Sequence, residues 1–493
     1  LVTTGALRSF MLLALLAATA PQPANAESGE LIDTGRRIYE DGVLPDGSDL
    51  VATRPEGLVL QGRFAACTRC HRASGMGSIE GLADKAILVP PVAGPVLFAP
   101  ALYANQFLDE QHHWVPNATW RRAMKRPAYD RDSLGVALRE GRNTMGESFQ
   151  APMLHYDLDD RSFSALIAYL MSLGAEPDPG VYGGTIMVGT VIAPDADPED
   201  ARAVLDIVRA WARNARGYGA PVQLAEWRLT GDPDTWLAQM QEAYREQPVF
   251  ALLSGIGKSE WRPVHEFCEQ NRVPCLFPSV DVIPAADGHF SMYFSPGVEL
   301  EAAILAEFLT GSPPDGKVIQ LFGNTSGRRA SEWLAQTLKL AGVDVQLRKF
   351  RETAPSLSLN DVSGDDIMVL WLGADELGQL ALSVEEGLPL EAYFSATLAD
   401  PSSVDLPPSW RSRVHFASLD DDVSVQTEIA RLRLSRWLGQ HEWVEHDNRR
   451  LQADAYVATY LFNAALSRIR GQEIRRPAVP LTREHVLETL ETL

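Results

Sequence analysis

From residue 185 to residue 419 the chain alternates between two textures. TIMVGTVIA, VQLAEWRL, VFALLSGIG, CLFPSV, KVIQLFG, VDVQLRKF, DIMVLWLG, AYFSATL and RVHFASL are strand-like runs, separated mostly by helix-like segments. Strands this rich in Val, Ile and Leu, joined by helical crossovers, require a parallel sheet with helices on both faces. Two of the early helices begin alike, with Asp197-Pro198 and Asp232-Pro233 supplying an N-cap and a first helical residue. The strands are too many for one small doubly wound sheet, and GSPPDGK, residues 311 to 317, separates two similar halves. Two α/β lobes are expected.

Upstream the pattern is different. Residues 30 to 176 are rich in loops and short helices, with no series of strand-like runs, and close with DDRSFSALIAYLMSLG. Asp159 or Asp160 caps that helix, Phe163, Leu166, Ile167, Leu170 and Met171 recur at helical spacing as its core face, and Gly174 ends it. AEPDPG then reads as a linker. At the other end, Arg8, the apolar run FMLLALLAATA and the small residues up to Ala26 read as a secretory signal cleaved after Ala26. The run is shorter than the roughly 20 residues of a spanning helix, and no later segment is long and apolar enough to span. The expected layout is a signal peptide at 1–26, an all-α domain at 27–176, a linker at 177–183, a two-lobed α/β domain at 184–480 and a C-terminal tail at 481–493.

The net charge is −21, with 15 basic against 21 acidic residues at 27–180 and 28 against 44 at 181–493. Neither part invites a polyanion, so nucleic acid and anionic membrane are poor partners. The four cysteines form two close pairs, Cys67 with Cys70 and Cys268 with Cys275.

Cys67 and Cys70 lie in AACTRCHRASGMG, and three chemistries use this spacing. A structural zinc site needs four ligands, and the other two cysteines are some 200 residues away. A redox dithiol sits at the start of a helix that follows a strand, and no strand-like run precedes Cys67. Covalent haem attachment fits in full: two thiols three apart add to one porphyrin edge, and His71 beside them can bind iron. A sixth ligand is then sought among the methionines. Met76 follows His71 too closely, Met124 lies in the basic segment WRRAMKRP and Met171 is taken for core. Met145 and Met153 remain, in GRNTMGESFQAPMLHYDL. Met153 is favoured because Pro152 restricts the backbone ahead of the last helix, with Met145 and His155 as alternatives.

With these residues in view, 31–176 resembles a class I c-type cytochrome domain. DTGRRIYEDG is similar to its first helix, CTRCHRASGMG to the haem turn, VPPVAGP to the proline-rich loop and PMLHYDLDDRSFSALIAYLMSL to the methionine loop and closing helix. The resemblance implies one covalent haem c with His71 and Met153 on the iron, support of the histidine by Pro91 or Pro95, and a helix contact involving Gly35, Tyr39 and Tyr169. The family often has Met-Pro at the ligand, whereas here Pro152 precedes Met153 and Leu154 follows it.

The portion from 184 to about 475 resembles the type 1 periplasmic solute-binding fold, in the branch of amino-acid and amide receptors. IMVGTVIA, LLSGIG, RVPCLFPSV, YFSPGVELEAAILAEFL and KVIQLFGNTSGRRASEWLAQTLKLAG carry the likeness in that order, with ADAYVATYLFNAALSRIRG as a closing helix. It implies a ligand between the lobes at the carboxyl ends of strands, contacted by Ser254, Gly255, Ser279 and Asp281 on one side and Asn324 and Asp375 on the other. The loop APDADPED lacks the family's glycine-rich turn, and its acidic residues disfavour an anionic solute. Cys268 and Cys275 bracket a helix-to-strand turn in an exported chain, where a disulfide can form.

The expected protein is therefore a periplasmic electron carrier rather than an enzyme, with periplasmic redox partner proteins and a module that docks a small ligand or partner. Two other readings stand beside it: a solute-binding receptor of a transport or sensing system with an accessory haem, and a haem enzyme of the peroxidase type.

Overall fold

The computed structural model describes residues 23–80, 87–102, 125–149, 152–216, 219–258, 260–284, 288–294, 297–350, 362–383, 390–399, 406–418, 425–440, 449–473 and 480–493. The secretory-signal expectation for the first 22 residues, and Met124, lie outside them. The described residues contain no helix long and apolar enough to cross a membrane. The chain divides after Glu176 into two compact units.

The first unit runs α1 (Pro23–Asp41), β1 (Val51–Thr53), β2 (Val59–Gln61), α2 (Thr68–His71), β3 (Ser78–Glu80), β4 (Ile87–Val89), α3 (Gly94–Leu97), β5 (Ala101–Leu102), β6 (Lys125–Arg126), α4 (Arg131–Glu140), β7 (His155–Tyr156) and α5 (Asp160–Ser172). Helices α1 and α5 pack closely because Gly35 has no side chain: a Cβ there would lie 2.0 Å from the Ala165 carbonyl oxygen. Beside it the Tyr39 and Tyr169 rings sit 5.3 Å apart, so the expected contact among Gly35, Tyr39 and Tyr169 is present. Ile38, Leu50, Leu134, Phe163 and Leu166 fill the core between the helices.

This unit is not all-α, and that expectation is corrected. β1 is the centre of a three-stranded antiparallel sheet, pairing Val51 with Gln61 of β2 and Ala52 with Tyr156 of β7. Strands of two or three residues are too short to show an alternating pattern. Met171 is corrected as well. It is 56% exposed, because Phe163, Leu166 and Leu170 define the buried stripe of α5 and Met171 falls beyond its edge.

A loop is repeated within the unit. Helices α1 and α4 both run out through a left-handed glycine, Gly42 at φ +68° and Gly141 at φ +67°, and turn again on Gly47 and Gly146. The ring closes in the same way each time, by Leu50 N–H donating to the Gly42 carbonyl and Phe149 N–H to that of Gly141. GVLPDGSDL and GRNTMGESF are thus two copies of one turn, feeding β1 and β7, which pair with each other.

The second unit begins with β8 (Val181–Tyr182), β9 (Thr185–Ile192), α6 (Pro198–Asn214), β10 (Val222–Arg228), α7 (Trp236–Glu246), β11 (Ala251–Leu253), α8 (Arg262–Asn271), β12 (Cys275–Leu276) and β13 (Ser291–Met292). After the crossing helix α9 (Val298–Gly311) come β14 (Val318–Phe322), α10 (Thr325–Leu340), β15 (Val345–Lys349), β16 (Ile367–Trp371), α11 (Ala374–Ser383), β17 (Glu391–Ser395) and β18 (Val414–Ala417). The chain closes with α12 (Val425–Gln440), α13 (Arg449–Glu473) and α14 (Arg483–Leu490). The sheet orders β10-β9-β11-β12-β13 and β15-β14-β16-β17-β18 are the same arrangement used twice, parallel throughout and adjoined only by antiparallel β8. These are the two α/β lobes, here lobe 1 and lobe 2.

Two boundaries differ from the sequence expectation. Of the stretch 177–183, Val181 and Tyr182 pair with Ile186 and Thr185 as a strand, and Asp178 N–H donates to the Leu481 carbonyl. Residues 481–493 are no tail, since Val486, Leu487 and Leu490 of α14 lie in the core of lobe 1. Arg483 fixes them there. Its buried guanidinium donates to the carbonyls of Pro179, Val249, Phe250, Asn271 and Arg272 and to the Tyr244 hydroxyl. A 13-residue segment rich in charge reads as polar surface until these acceptors are brought around it.

Candidate functional site

In a doubly wound lobe ligands gather beyond the carboxyl ends of the strands. In lobe 1 two adjacent strands break at this level. β11 ends at Leu253 and Ser254 takes φ +50°; β12 ends at Leu276 and Phe277 takes φ +55°. Pairing then resumes between Ile256 and Ser279. For residues other than glycine this conformation costs about 1–2 kcal/mol each, and such strain gathers where function requires it.

The kink buries Ser254 to 1% exposure and commits its backbone, with N–H donating to the Leu276 carbonyl and the carbonyl accepting from Thr190 Oγ1. Its Oγ has no hydrogen-bond partner, nor have Ser279 Oγ and Trp261 Nε1. Buried hydroxyls left in this way cost about 1–3 kcal/mol apiece and ask for a water or a ligand. Gly255 has a packing duty: a Cβ would lie 2.8 Å from the Trp261 ring, while its carbonyl accepts from Ser279 N–H.

Asp281 follows on the same segment, and its carbonyl accepts from Val298 N–H at the start of α9. Burial pushes its carboxyl up to about 7, against the pull of Lys258 and Arg450 and together with Asp195 and Asp200. Arg450 of α13 donates to the Ala396 carbonyl, at the end of β17 in lobe 2. Beside it Glu301 of α9 is completely buried, accepting from Ser395 Oγ and from both the N–H and hydroxyl of Thr397. Burial raises its carboxyl above the usual range, partly offset by these donors.

On lobe 2 the expected contacts are otherwise engaged. Asn324 is the N-cap of α10, its Oδ1 accepting from Gly327 N–H at 2.8 Å. Asp375 is exposed in the first turn of α11, and the carboxylate that turns inward is its neighbour Glu376, which accepts from Gly373 N–H at 2.9 Å. A Cβ on Gly323 would collide with that carboxylate, so Gly323 exists to admit it. The sequence carried a signal for Glu376, a Glu three residues after Gly373 at a helix start. Glu301, Arg450 and Lys258 carry none, because they arrive from separate elements.

Cys268 at the end of α8 and Cys275 of β12 are joined in a disulfide, with Cα atoms 6.1 Å apart. It ties the helix to the strand whose end carries the kink.

In the first unit, α2 places Cys67, Cys70 and His71 in one short turn, and the two thiols are not joined. The buried His71 ring shares a 2.9 Å hydrogen bond from Nδ1 with the Pro90 carbonyl, so Pro90 supports it rather than Pro91 or Pro95. With Nδ1–H donating, Nε2 keeps its lone pair. Burial lowers the imidazole pKa, which also favours the neutral ring. Burial pushes the Cys67 thiol up to about 12, beside the Tyr156 hydroxyl. Two unjoined thiols and a neutral imidazole suit a covalent haem. Met153 packs half-buried against the core, while Met145 stands 36% exposed at the tip of the second copy of the repeated loop, where the first copy has Asp46. His155 lies in β7, against Gly141.

No family model and no curated protein matches the chain. Solved structures do. A fatty acid transporter substrate-binding protein from Thermomonospora curvata is 14% identical with a TM-score of 0.47, over 64% of this chain and 83% of its own. A leucine-binding protein from Thermotoga maritima is 14% identical with a TM-score of 0.45, over 62% and 87%. A solute-binding transporter protein from Rhodopseudomonas palustris, in complex with 3,4-dihydroxybenzoic acid, is 13% identical with a TM-score of 0.45, over 62% and 84%.

One expectation is corrected at this point, that of a cytochrome whose business is metal binding and electron transfer. Among the described residues no three His, Cys, Asp or Glu side chains are grouped to hold a metal ion.

Proposed function

We propose that the protein is a solute-binding receptor of a transport or sensing system, acting in the periplasm and not as an enzyme, with the ligand held between the lobes of the second unit. One observation carries the reading: Ser254 and Ser279 present buried, unpartnered hydroxyls at the ends of two strands that both depart from regular geometry there. Asp281, which opens the crossing to α9, and Arg450, which reaches lobe 2 from α13, give closure of the lobes something to act on. A thermal-shift screen of small solutes tests it. A hit should raise the melting temperature of the intact chain, and Ser254→Ala with Ser279→Ala should abolish that shift without lowering the unliganded melt. A hit that survives both changes would place the ligand elsewhere.

The first unit is proposed as the accessory module, in which Cys67 and Cys70 would hold one haem c and His71 and Met153 are the side chains that would bind its iron. The protein's part is to fix the imidazole through Pro90 and to keep the thiols at helical spacing. Haem that stays with the polypeptide after denaturation, and is lost in Cys67→Ser/Cys70→Ser, is the expected result.

A further inference from the structure

We propose, resting on the receptor reading above, that the cleft between the lobes takes an organic cation, an amine or ammonium compound without a carboxylate. The first argument is what the cleft withholds. Anions and carboxylates are held at helix N-termini, where backbone N–H groups and the helix dipole both favour negative charge. Here those donors are already taken by the chain. Asp197 accepts from Glu199 N–H at the start of α6, and Glu260 from Arg262 N–H at the start of α8. In lobe 2 Asn324 caps α10, and Glu376 occupies the first turn of α11 against Gly323 and Gly373.

The second argument is charge. Asp281 feels the charges of Asp195 and Asp200 as well as those of Lys258 and Arg450. The chain itself holds this group together, the Lys258 backbone N–H donating to Asp195 and the Arg450 guanidinium to the Ala396 carbonyl beside Glu301. Even with both nearby, burial holds the Asp281 carboxyl up to about 7, so its ionised form is under-compensated in the unliganded site. A bound cation would relieve it; a bound anion would meet three carboxylates. The third argument is independent of charge. Ser254 Oγ is buried and unpartnered, Ser279 Oγ likewise, and a hydroxyl oxygen accepts from an ammonium N–H as readily as it donates.

Isothermal titration calorimetry on the full chain tests this with putrescine and choline as probes, against leucine, succinate and glycerol. Binding of a cationic probe, tighter at pH 8 than at pH 6 as Asp281 ionises, is the expected result. Asp281→Asn should weaken it by about tenfold or more at pH 8 and flatten the pH dependence, as expected for a close charge pair. Asp195→Asn gives a second reading if the first variant melts early. Should leucine or succinate bind, with the Ser254→Ala dependence described above, the cation proposal is overturned and the receptor stands. Should neither cationic probe bind while the solute screen yields another ligand, the same holds. Only a screen without any Ser254-dependent ligand removes both.

Discussion

The two lobes of the second unit share one strand order and differ in how far they keep to it. In lobe 2, β16 and β17 pair without interruption from Ile367 with Glu391 to Leu370 with Phe394. In lobe 1 the corresponding later strands pair only Leu252 with Cys275 and Leu253 with Leu276 before Ser254 and Phe277 turn away. The lobe that loses ladder pairs is also the lobe with a disulfide, an inserted arginine and a C-terminal helix in its core. Lobe 2 has none of these among its described residues. Strain at a site persists only where its surroundings over-determine the fold, and here the reinforcement stands directly behind the strained strand ends.

The largest expected break in this comparison is Arg483→Ala. It strips five carbonyls and a hydroxyl of their donor at the foot of β11. A loss of about 3–5 kcal/mol is expected, on the scale of severe buried-network disruptions. Urea unfolding gives the magnitude and amide exchange the place: β9, β11 and α14 should lose protection while β14 and β16 keep it. Equal loss in both lobes would show that they do not differ in the way described.

Breaking the Cys268–Cys275 link by Cys268→Ala/Cys275→Ala should have the next largest effect. For a sequence separation of seven, chain entropy puts the stabilisation at about 2–3 kcal/mol. The loss should again fall on lobe 1. Smallest, and opposite in sign, is Ser254→Gly: a residue at φ +50° relieved of its side chain should gain about 1 kcal/mol in urea unfolding. The variant would be the more stable protein and the poorer binder. A loss of stability instead would mean that the Ser254 hydroxyl is already satisfied.

Much of this architecture was legible in the sequence because it is periodic. The apolar runs between 185 and 419 and the capped helix at Asp159 announce themselves through spacing alone. What was not legible was local or distant. β1, β2 and β7 are too short for an alternating pattern to form, so the first unit read as all helix. The role of 481–493 rests on acceptors from Pro179 to Arg272, which only the fold assembles around Arg483. The site divides in the same way. Ser254, Ser279 and Asp281 follow strands and could be placed by topology, and the spacing of Glu376 from Gly373 marked the carboxylate that turns inward, but nothing in the order of residues brings Glu301, Arg450 and Lys258 together from their separate elements. Cys67, Cys70 and His71 stood out because their chemistry depends on spacing, and the Pro90 carbonyl did not because it depends on a turn.

The clasp by Arg483 has a consequence for how the chain is made. The strands of lobe 1 emerge from the ribosome early, yet their core lacks α13 and α14 until all of lobe 2 has been synthesised. The core clusters of lobe 2 lie in one contiguous stretch, from Val282 to Ala417, and that lobe can fold as it appears. Lobe 1 must wait, holding open the contacts of longest sequence separation in the unit, and these are the slowest to form. The order of closure is therefore the reverse of the order of synthesis: the half made first is finished last.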